Sequence, residues 1–578
     1  MRKRLVYALQ DAKAKLEKSV HAEVQTPKNP DLADLSIACF AMAQTRKKNP
    51  NQIAKEIASQ RLPAEFERAQ AVGPYVNVFF SERFYAKVLA ETASQKYGVH
   101  EKQKGTWLLE YSQPNPGKPM HLGHIRSTIV GDVCANALTW TGRNVVRLNY
   151  LNDRGAHIAE LIVALQQFKD LPKVRDEKDL LAYYVRIKKE IDANEELKQK
   201  SRNVLEHLQD HQKQLAEIRE LSLKAFKRNY DALGVSFDEY PLETALEEDA
   251  KKCVQEALEK KLAKKERDGT VISDLEAFGL PNTVLLRSNQ TPLYLTSDLA
   301  LADWKWHKYH FTQSWVITAS EQNLHFRQLQ LLLEKMGRRY ASNYHHRGFG
   351  LIRLSEGKMS TRQGRVVLLE DVIREVVTEA ENQVREKSQR ENAKQTARAV
   401  GIGALKYGVL KVRLEKEITF DPKAEVQFEG DTSAYIQYAH VRCHAILEKY
   451  AQEKPVKQNE PTPKTKETKT KNLKNKKPDA PLPKLPKKLE LNASEKNLLK
   501  KLAEFPEAVT YTADTLQPHA LCEYALSVAK AFTHFYGASP VLPAEGNLKA
   551  QRLHIVSNTK NVLSLTLKLL GIQAIEKM

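Results

Sequence analysis

Two histidines three positions apart, His121 and His124, enclose Leu122 and Gly123 where a strand-like run gives way to a helical one. A helix N-terminus leaves backbone N–H groups free and carries the positive end of the helix dipole, so it favours phosphate. Residues three apart share one face of the first turn. Gly123, with no side chain, lets a flat ring approach the backbone. The combination suits a nucleoside triphosphate, with the base near Gly123 and the imidazoles donating to phosphate oxygens as charge builds at the α-phosphorus. A second window, EGKMSTRQGRVV from Glu356 to Val367, spaces Lys358, Arg362 and Arg365 to face an anion. A basic loop that closes on the β- and γ-phosphates would hold the leaving pyrophosphate in the transition state. His121, His124 and Lys358 are thus candidate catalytic groups, with Gly123 at the nucleotide base. His345 and His346 are adjacent on a strand-like run and face opposite sides, so a packing role is expected for them rather than a shared ion. No metal is expected beyond the Mg²⁺ carried with a nucleoside triphosphate.

These groups need a frame. Residues 107–111 (WLLEY) read as a buried strand, and a turn-rich stretch, Ser112 to Pro119, follows. A helix is expected from His121 to about Trp140, then a strand over 145–151 (VVRLNYL). Strand, loop, helix, strand is a βαβ unit and predicts a parallel sheet. Residues 170–235 are highly charged and helical in period, which predicts long surface helices inserted between sheet elements. The sheet pattern returns with DGTVISD, TVLLR, SWVITAS and FGLIRL, and after residue 371 the pattern is almost entirely helical. Ahead of this frame, the first ~105 residues read as a small separate unit. There, 31–45 has helical apolar spacing, Pro50 precedes an amphipathic stretch, Gly73-Pro74 marks a turn and YVNVFF alternates as a strand.

The chain has 578 residues and a net charge of +20. That size predicts about four domain-sized units, and the charge permits a polyanionic partner such as nucleic acid. No apolar run is long enough for a transmembrane helix. The basic N-terminus lacks an apolar signal core, so it reads as the first helix of a domain. Five scattered cysteines without a C-x-x-C pair exclude a disulfide scaffold or a cysteine zinc site and fit a reducing, cytoplasmic setting. Residues 452–490 hold 12 lysines, seven prolines and five acidic residues, a net +7. This segment is expected to be a disordered linker.

The two chemical windows resemble the HIGH and KMSKS signatures of class I aminoacyl-tRNA synthetases, which implies ATP contacts at His121, Gly123, His124, Lys358, Met359 and Ser360 and Mg²⁺ carried with the ATP. Within that class nearly the whole chain is similar to the arginyl-tRNA synthetases. Ser112 to Asp132 resembles that family's S-x-P-N-x-x-K-P-x-H-x-G-H-x-R-S-T-I-x-G-D segment, and Asn149 to Gly155 its N-Y-x-x-D-x-G. Gly430 to Arg442 is similar to the opening of its helical anticodon-binding domain, and the chain ends in the family's manner, Leu570-Gly571-Ile572 to Met578. The resemblance implies an α/β multidomain chain. A small α+β N-terminal tRNA-binding domain spans 1–105, and a Rossmann-like parallel-sheet catalytic domain spans 106–370 with a helical insertion at about 170–290. An all-α anticodon-binding domain follows over 371–578 and contains the Lys/Pro-rich segment 452–490. It further implies tRNA contacts at Asn77, Tyr435, Gln437 and Arg442. Thr361 replaces the second lysine of the KMSKS signature; the family then relies on a lysine before the HIGH segment, here Lys118. Arg154 stands where a tryptophan is usual.

Arginine ends in a planar guanidinium with five donors, whose partners are carboxylates and amide oxygens. The resemblance places its contacts at Glu110, Asn115, Tyr294, Asp298 and Gln322, with Asp298 the main guanidinium partner and Glu110 and Asn115 holding the α-ammonium. It implies arginyl-adenylate formation from L-arginine and ATP, then transfer to the terminal ribose of tRNA(Arg), by a monomer whose first step needs tRNA. Two other readings remain open at the level of sequence. One is a HIGH-type enzyme for another amino acid, which exchange assays across the twenty amino acids would identify. The other is a tRNA-binding paralogue without activity, which would bind tRNA and charge nothing.

Overall fold

The computed structural model describes residues 7–27, 32–355, 367–387, 393–453 and 481–578. In the N-terminal unit the strands β1 (Leu35–Ala38), β2 (Phe66–Val72) and β3 (Tyr75–Phe80) form an antiparallel sheet in the order β1-β3-β2. Gly73 takes the positive φ, 55°, that the two-residue turn between β2 and β3 requires. The helix Pro50–Ala58 follows its signals: Pro50 is the first helical residue, the Asn49 side chain accepts from Asn51 N–H, and Ile53, Ala54 and Ile57 face the core. Residues 31–45 depart from the expected helix. Leu35–Ala38 pairs with β3, and the helix begins only at Phe40. Leu35 and Ile37 satisfy a strand's alternation as well as a helix's spacing, and the β3 edge decides between them.

The catalytic unit holds β4 (Thr106–Glu110), β5 (Asn144–Leu148), the short strands β6 (Ala263–Lys265), β7 (Val271–Ser273) and β8 (Val284–Leu286), then β9 (Gln313–Ala319) and β10 (Tyr344–Phe349). Four of these make a parallel sheet in the order β10-β9-β4-β5. The chain leaves β4 towards β5 on one side and meets β9 on the other. In open parallel sheets, ligands bind in the crevice at the carboxyl ends of strands at such a reversal. The insertion is helical through Glu177–Ile191, Glu195–Glu206, Gln212–Leu233 and Glu247–Glu259. It then differs from expectation, because β6, β7 and β8 form a separate antiparallel sheet rather than extending the parallel one. Two further strands, β11 (Ile352–Leu354) and β12 (Ile418–Phe420), pair in parallel and tie the catalytic unit to the helical one.

The C-terminal unit is built on the helices Ser433–Glu453, Ala493–Ala503, Phe505–Thr515, His519–Ala538 and Gly546–Leu569. Residues 481–490 correct the linker expectation at its far end. Leu489 is buried, Leu482 and Leu485 pack on the core, and Leu489 N–H donates to Glu82 at 2.6 Å. Three apolar anchors among the prolines dock this stretch despite its lysines. Residues 454–480 lie outside the described residues. Among the described residues, no helix is long and apolar enough to cross a membrane.

Candidate active site

A cavity of about 650 Å³ opens at the carboxyl ends of β4 and β9. Its wall takes Gln113 and Asn115 from the loop after β4, and His121, Gly123 and His124 from the start of the helix Leu122–Trp140. Tyr294 and Asp298 come from the helix Tyr294–Tyr309, and Gln322 and His325 from the stretch after β9. Groups far apart in the chain converge where the strand order reverses.

The histidines form a reciprocal cap. His121 Nδ1 accepts from Gly123 N–H and His124 Nδ1 accepts from His121 N–H, both at 3.1 Å. With each Nδ1 an acceptor, the ring protons lie on Nε2. Burial holds the His124 imidazolium down to about 3, assisted by the nearby His121. Burial and then the Lys118 ammonium lower His121 as well. Both rings are therefore neutral Nε2–H donors at neutral pH. A Cβ at residue 123 would come within 2.9 Å of His121 Cε1, so the glycine also protects the ring position. Buried Arg126 anchors the same helix by donating to the carbonyls of Gly350, Lys416 (2.6 Å) and Arg413 (3.0 Å).

The loop carrying Asn115 is held in an unusual conformation. Ser112 and Gln113 have φ of 77° and 51°, the left-handed region that side chains disfavour. Hydrogen bonds over-determine it. Ser112 N–H donates to Ser127 Oγ at 2.9 Å, the Ser112 hydroxyl meets Thr128 and Tyr230 at 2.8 Å, and Gln113 N–H donates to Asn149 Oδ1 at 3.2 Å.

Asp298 is 19% exposed at its side chain, and its Oδ2 accepts from His325 Nε2–H at 2.6 Å. Sequence reasoning did not select His325; its signal was its place in Gln322-Asn323-Leu324-His325. Glu110 lies behind the wall. It is 2% exposed, paired with the Lys305 ammonium (0% exposed), and accepts from Gln113 Nε2–H. It is not on the cavity wall; the wall residue is Gln113, which Glu110 orients. Lys305 also donates to Tyr344 at 3.1 Å. Nothing in the linear pattern marked this buried pair.

Lys118 is not on the wall either. Its ammonium sits 5.3 Å from the Tyr184 ring centroid, and its charge acts on His121 and His157. Lys358, Met359, Ser360, Thr361, Arg362 and Arg365 lie outside the described residues. Arg154 gains an account: its guanidinium pairs with Glu247, while Asp153 accepts from Thr244 and pairs with Arg219 at 3.2 Å. This stretch stitches the insertion to the parallel sheet. His346 meets Thr318 at 2.8 Å and stacks on Phe326, whereas His345 donates to Gln313 at 2.6 Å and lies against Trp315. The two rings serve opposite faces of β10.

The residues expected at tRNA divide in the same way. Asn77 is half-buried on β3 beside exposed Tyr75. Tyr435 reaches Thr533 at 3.0 Å. Arg442 lies between the exposed rings of Tyr438 and Tyr536, at 4.9 and 4.7 Å, beside a groove of about 480 Å³. Tyr438 and Tyr536 were not singled out in the sequence, although Tyr438 sits one helical turn before Arg442. Gln437 corrects an expectation: it is fully buried and donates to Gln573 O at 2.8 Å. Its amide holds the C-terminal tail, as does His440 through Ile575 O.

Comparison with known proteins agrees with this geometry. The model described as tRNA synthetases class I (R), catalytic domain, matches residues 86–421. The DALR anticodon binding domain matches 436–578, and the Arginyl tRNA synthetase N terminal domain matches 1–80. An arginine–tRNA ligase of Clostridium perfringens is 33% identical over 96% of each chain. One of Latilactobacillus sakei is 34% identical over 96% of this chain and 95% of its own. Among solved structures, the Thermus thermophilus arginyl-tRNA synthetase superposes with a TM-score of 0.80 at 25% identity, covering 99% of this chain and 100% of that one. The Plasmodium falciparum arginyl-tRNA synthetase shares the fold, with a TM-score of 0.77 at 21% identity over 99% of this chain and 100% of its own. Cavity, parallel sheet and three matched domains agree, and the chain belongs to the arginyl-tRNA synthetase family, the class I arginine–tRNA ligases.

Proposed function

We propose that L-arginine binds with its guanidinium on Asp298 and its backbone end between Asn115, Tyr294 and Gln322, while ATP lies over Gly123 with its phosphates at His121 and His124. The observation that carries this reading is the single cavity that joins Asp298 to the paired histidines. One arginine carboxylate oxygen attacks the α-phosphorus and pyrophosphate leaves. The 2′-hydroxyl of the tRNA terminal ribose then takes the arginyl group and AMP departs. Positioning and charge stabilisation drive the first step. The two Nε2–H donors suit it because they are neutral and their rings are fixed by backbone bonds. Mg²⁺ arrives on ATP and shields the β- and γ-phosphates; Lys118, and on the sequence argument Lys358, add positive charge there. Glu110 orients Gln113 beside the amino acid.

Lysine would offer one point charge and leave carboxylate oxygens unmatched, and sites built on such bonds reject analogues by roughly 10⁴. Arg442, flanked by Tyr438 and Tyr536, offers a stacking surface for anticodon bases. Asn77, beside Tyr75, offers a second tRNA contact on the N-terminal sheet. The enzyme acts as a monomer on this reading, and five buried, unpaired cysteines suit the reducing cytoplasm. The test is charging of tRNA with labelled arginine or lysine. Arginine should be charged with strong preference, and pyrophosphate exchange should require tRNA. Equal charging with lysine, or tRNA binding with no charging, refutes the assignment of the pocket.

A further inference from the structure

The helical insertion grips the loop that carries Lys118, and it does so from several helices. The backbone is fixed first. Gly117 has a φ of 80° and packs closely on the helix Ala156–Gln167, where an added Cβ would come within 2.8 Å of Leu161 Cδ2. Gly117 N–H donates at 2.8 Å to Ser222 Oγ on the helix Gln212–Leu233, and Lys118 N–H donates to Asn115 O at 3.1 Å. The ring of His157 bonds the Pro116 carbonyl. Burial, then the Lys118 and Lys188 charges, hold the His157 imidazolium down to about 4, so this neighbour is neutral.

The side chain of Lys118 meets Tyr184, a half-buried residue of the helix Glu177–Ile191. Two ammonium groups lie over that one ring, Lys118 at 5.3 Å and Lys188 at 5.8 Å from its centroid. Both are within the ~6 Å reach of a cation–π interaction. They differ in what else they meet. Lys188 pairs with Glu160 at 2.7 Å, whereas Lys118 has no carboxylate partner among the described residues. The charge left open is therefore that of Lys118, and it already bears on His121, whose imidazolium it disfavours.

We infer that Tyr184 is a positioning residue for adenylate formation: its ring face holds the Lys118 ammonium beside the histidine pair before ATP arrives. The inference rests on the reading of Lys118 as a neighbour of the phosphates. A free lysine loses rotamer freedom when a phosphate fixes it. An ammonium already held on an aromatic face has lost part of that freedom beforehand, so less is lost when ATP binds. The ring quadrupole does this work, and the phenol hydroxyl has no part in it.

ATP-dependent pyrophosphate exchange by the full-length enzyme, at saturating tRNA and arginine, tests this. Tyr184→Leu should lower kcat/KM for ATP about three- to thirtyfold and leave the arginine KM unchanged. Tyr184→Phe keeps the ring and should restore exchange to within about twofold. Phenylalanines of increasing ring fluorination at position 184 keep the shape while draining the ring face of negative charge, and should lower kcat/KM for ATP step by step. In a Lys118→Met background, Tyr184→Leu should cost nothing further. The inference is overturned if Tyr184→Leu matches or exceeds the wild type while Lys118→Met is impaired. It is equally overturned if fluorination has no effect, or if Tyr184→Leu costs as much without Lys118 as with it. Wild-type ATP kinetics in Lys118→Met alone instead overturn the reading of Lys118.

Discussion

Replacing Asp298 with asparagine removes a charge while keeping a shape. The asparagine Oδ1 can still accept the His325 Nε2–H bond, which spans 2.6 Å in the native chain. The imidazole and the helix Tyr294–Tyr309 should therefore stay in place, and the melting temperature should change by no more than a few degrees. What disappears is the attraction between a carboxylate and a guanidinium. At ~4 Å and an effective dielectric of ~20 that attraction is about 4 kcal/mol. Asp298 is 19% exposed at its side chain, so solvent screening lowers the figure to about 2–4 kcal/mol. At about 1.4 kcal/mol per tenfold, arginine kcat/KM should fall about 30- to 700-fold. Pyrophosphate exchange at saturating ATP and tRNA, over a range of arginine concentrations, measures this directly. A variant with wild-type arginine kinetics and a wild-type melting temperature would refute the guanidinium assignment and with it the electrostatic account of specificity.

Three further outcomes are expected. Arg126→Met strips three carbonyls of a buried guanidinium, so thermal unfolding should show a stability loss of about 3–5 kcal/mol; an unchanged midpoint contradicts this. Burial holds the His440 imidazolium down to about 4. Between pH 6.5 and 4 the unfolded chain therefore binds a proton that the folded chain refuses. Stability should fall with falling pH by up to about 1.4 kcal/mol per unit for this group, and His440→Asn should flatten the slope seen by urea unfolding at pH 6.5 and 5. Arg442→Ala should raise the KM for tRNA about five- to a hundredfold, about 1–3 kcal/mol, and leave the arginine KM unchanged at saturating tRNA.

Where one local stretch carries both a motif and its physics, the linear sequence was legible. The histidine cap is such a case: His121, Gly123 and His124 adjoin, and the backbone bonds that set their tautomers lie within the same turn. The strand–loop–helix–strand unit around them was legible for the same reason. Residues 35–38 were not, because Leu35 and Ile37 fit two periods and only pairing with β3 selects the strand. Nor were β6, β7 and β8, whose apolar runs match a parallel strand as well as an antiparallel one.

At the site the same division holds for charge. The sequence alone determined that a histidine pair at a helix start, the aspartate of Tyr-Leu-Thr-Ser-Asp and a run of basic residues occur in one chain, in one order. Only the tertiary structure decided which of these charges faces the cavity. It spent Glu110 on Lys305, placed Gln113 on the wall in its stead, and buried Gln437 against the C-terminal tail. The physical reason is that ionisation and exposure are set by which groups lie within a few ångströms, and those groups come from distant parts of the chain.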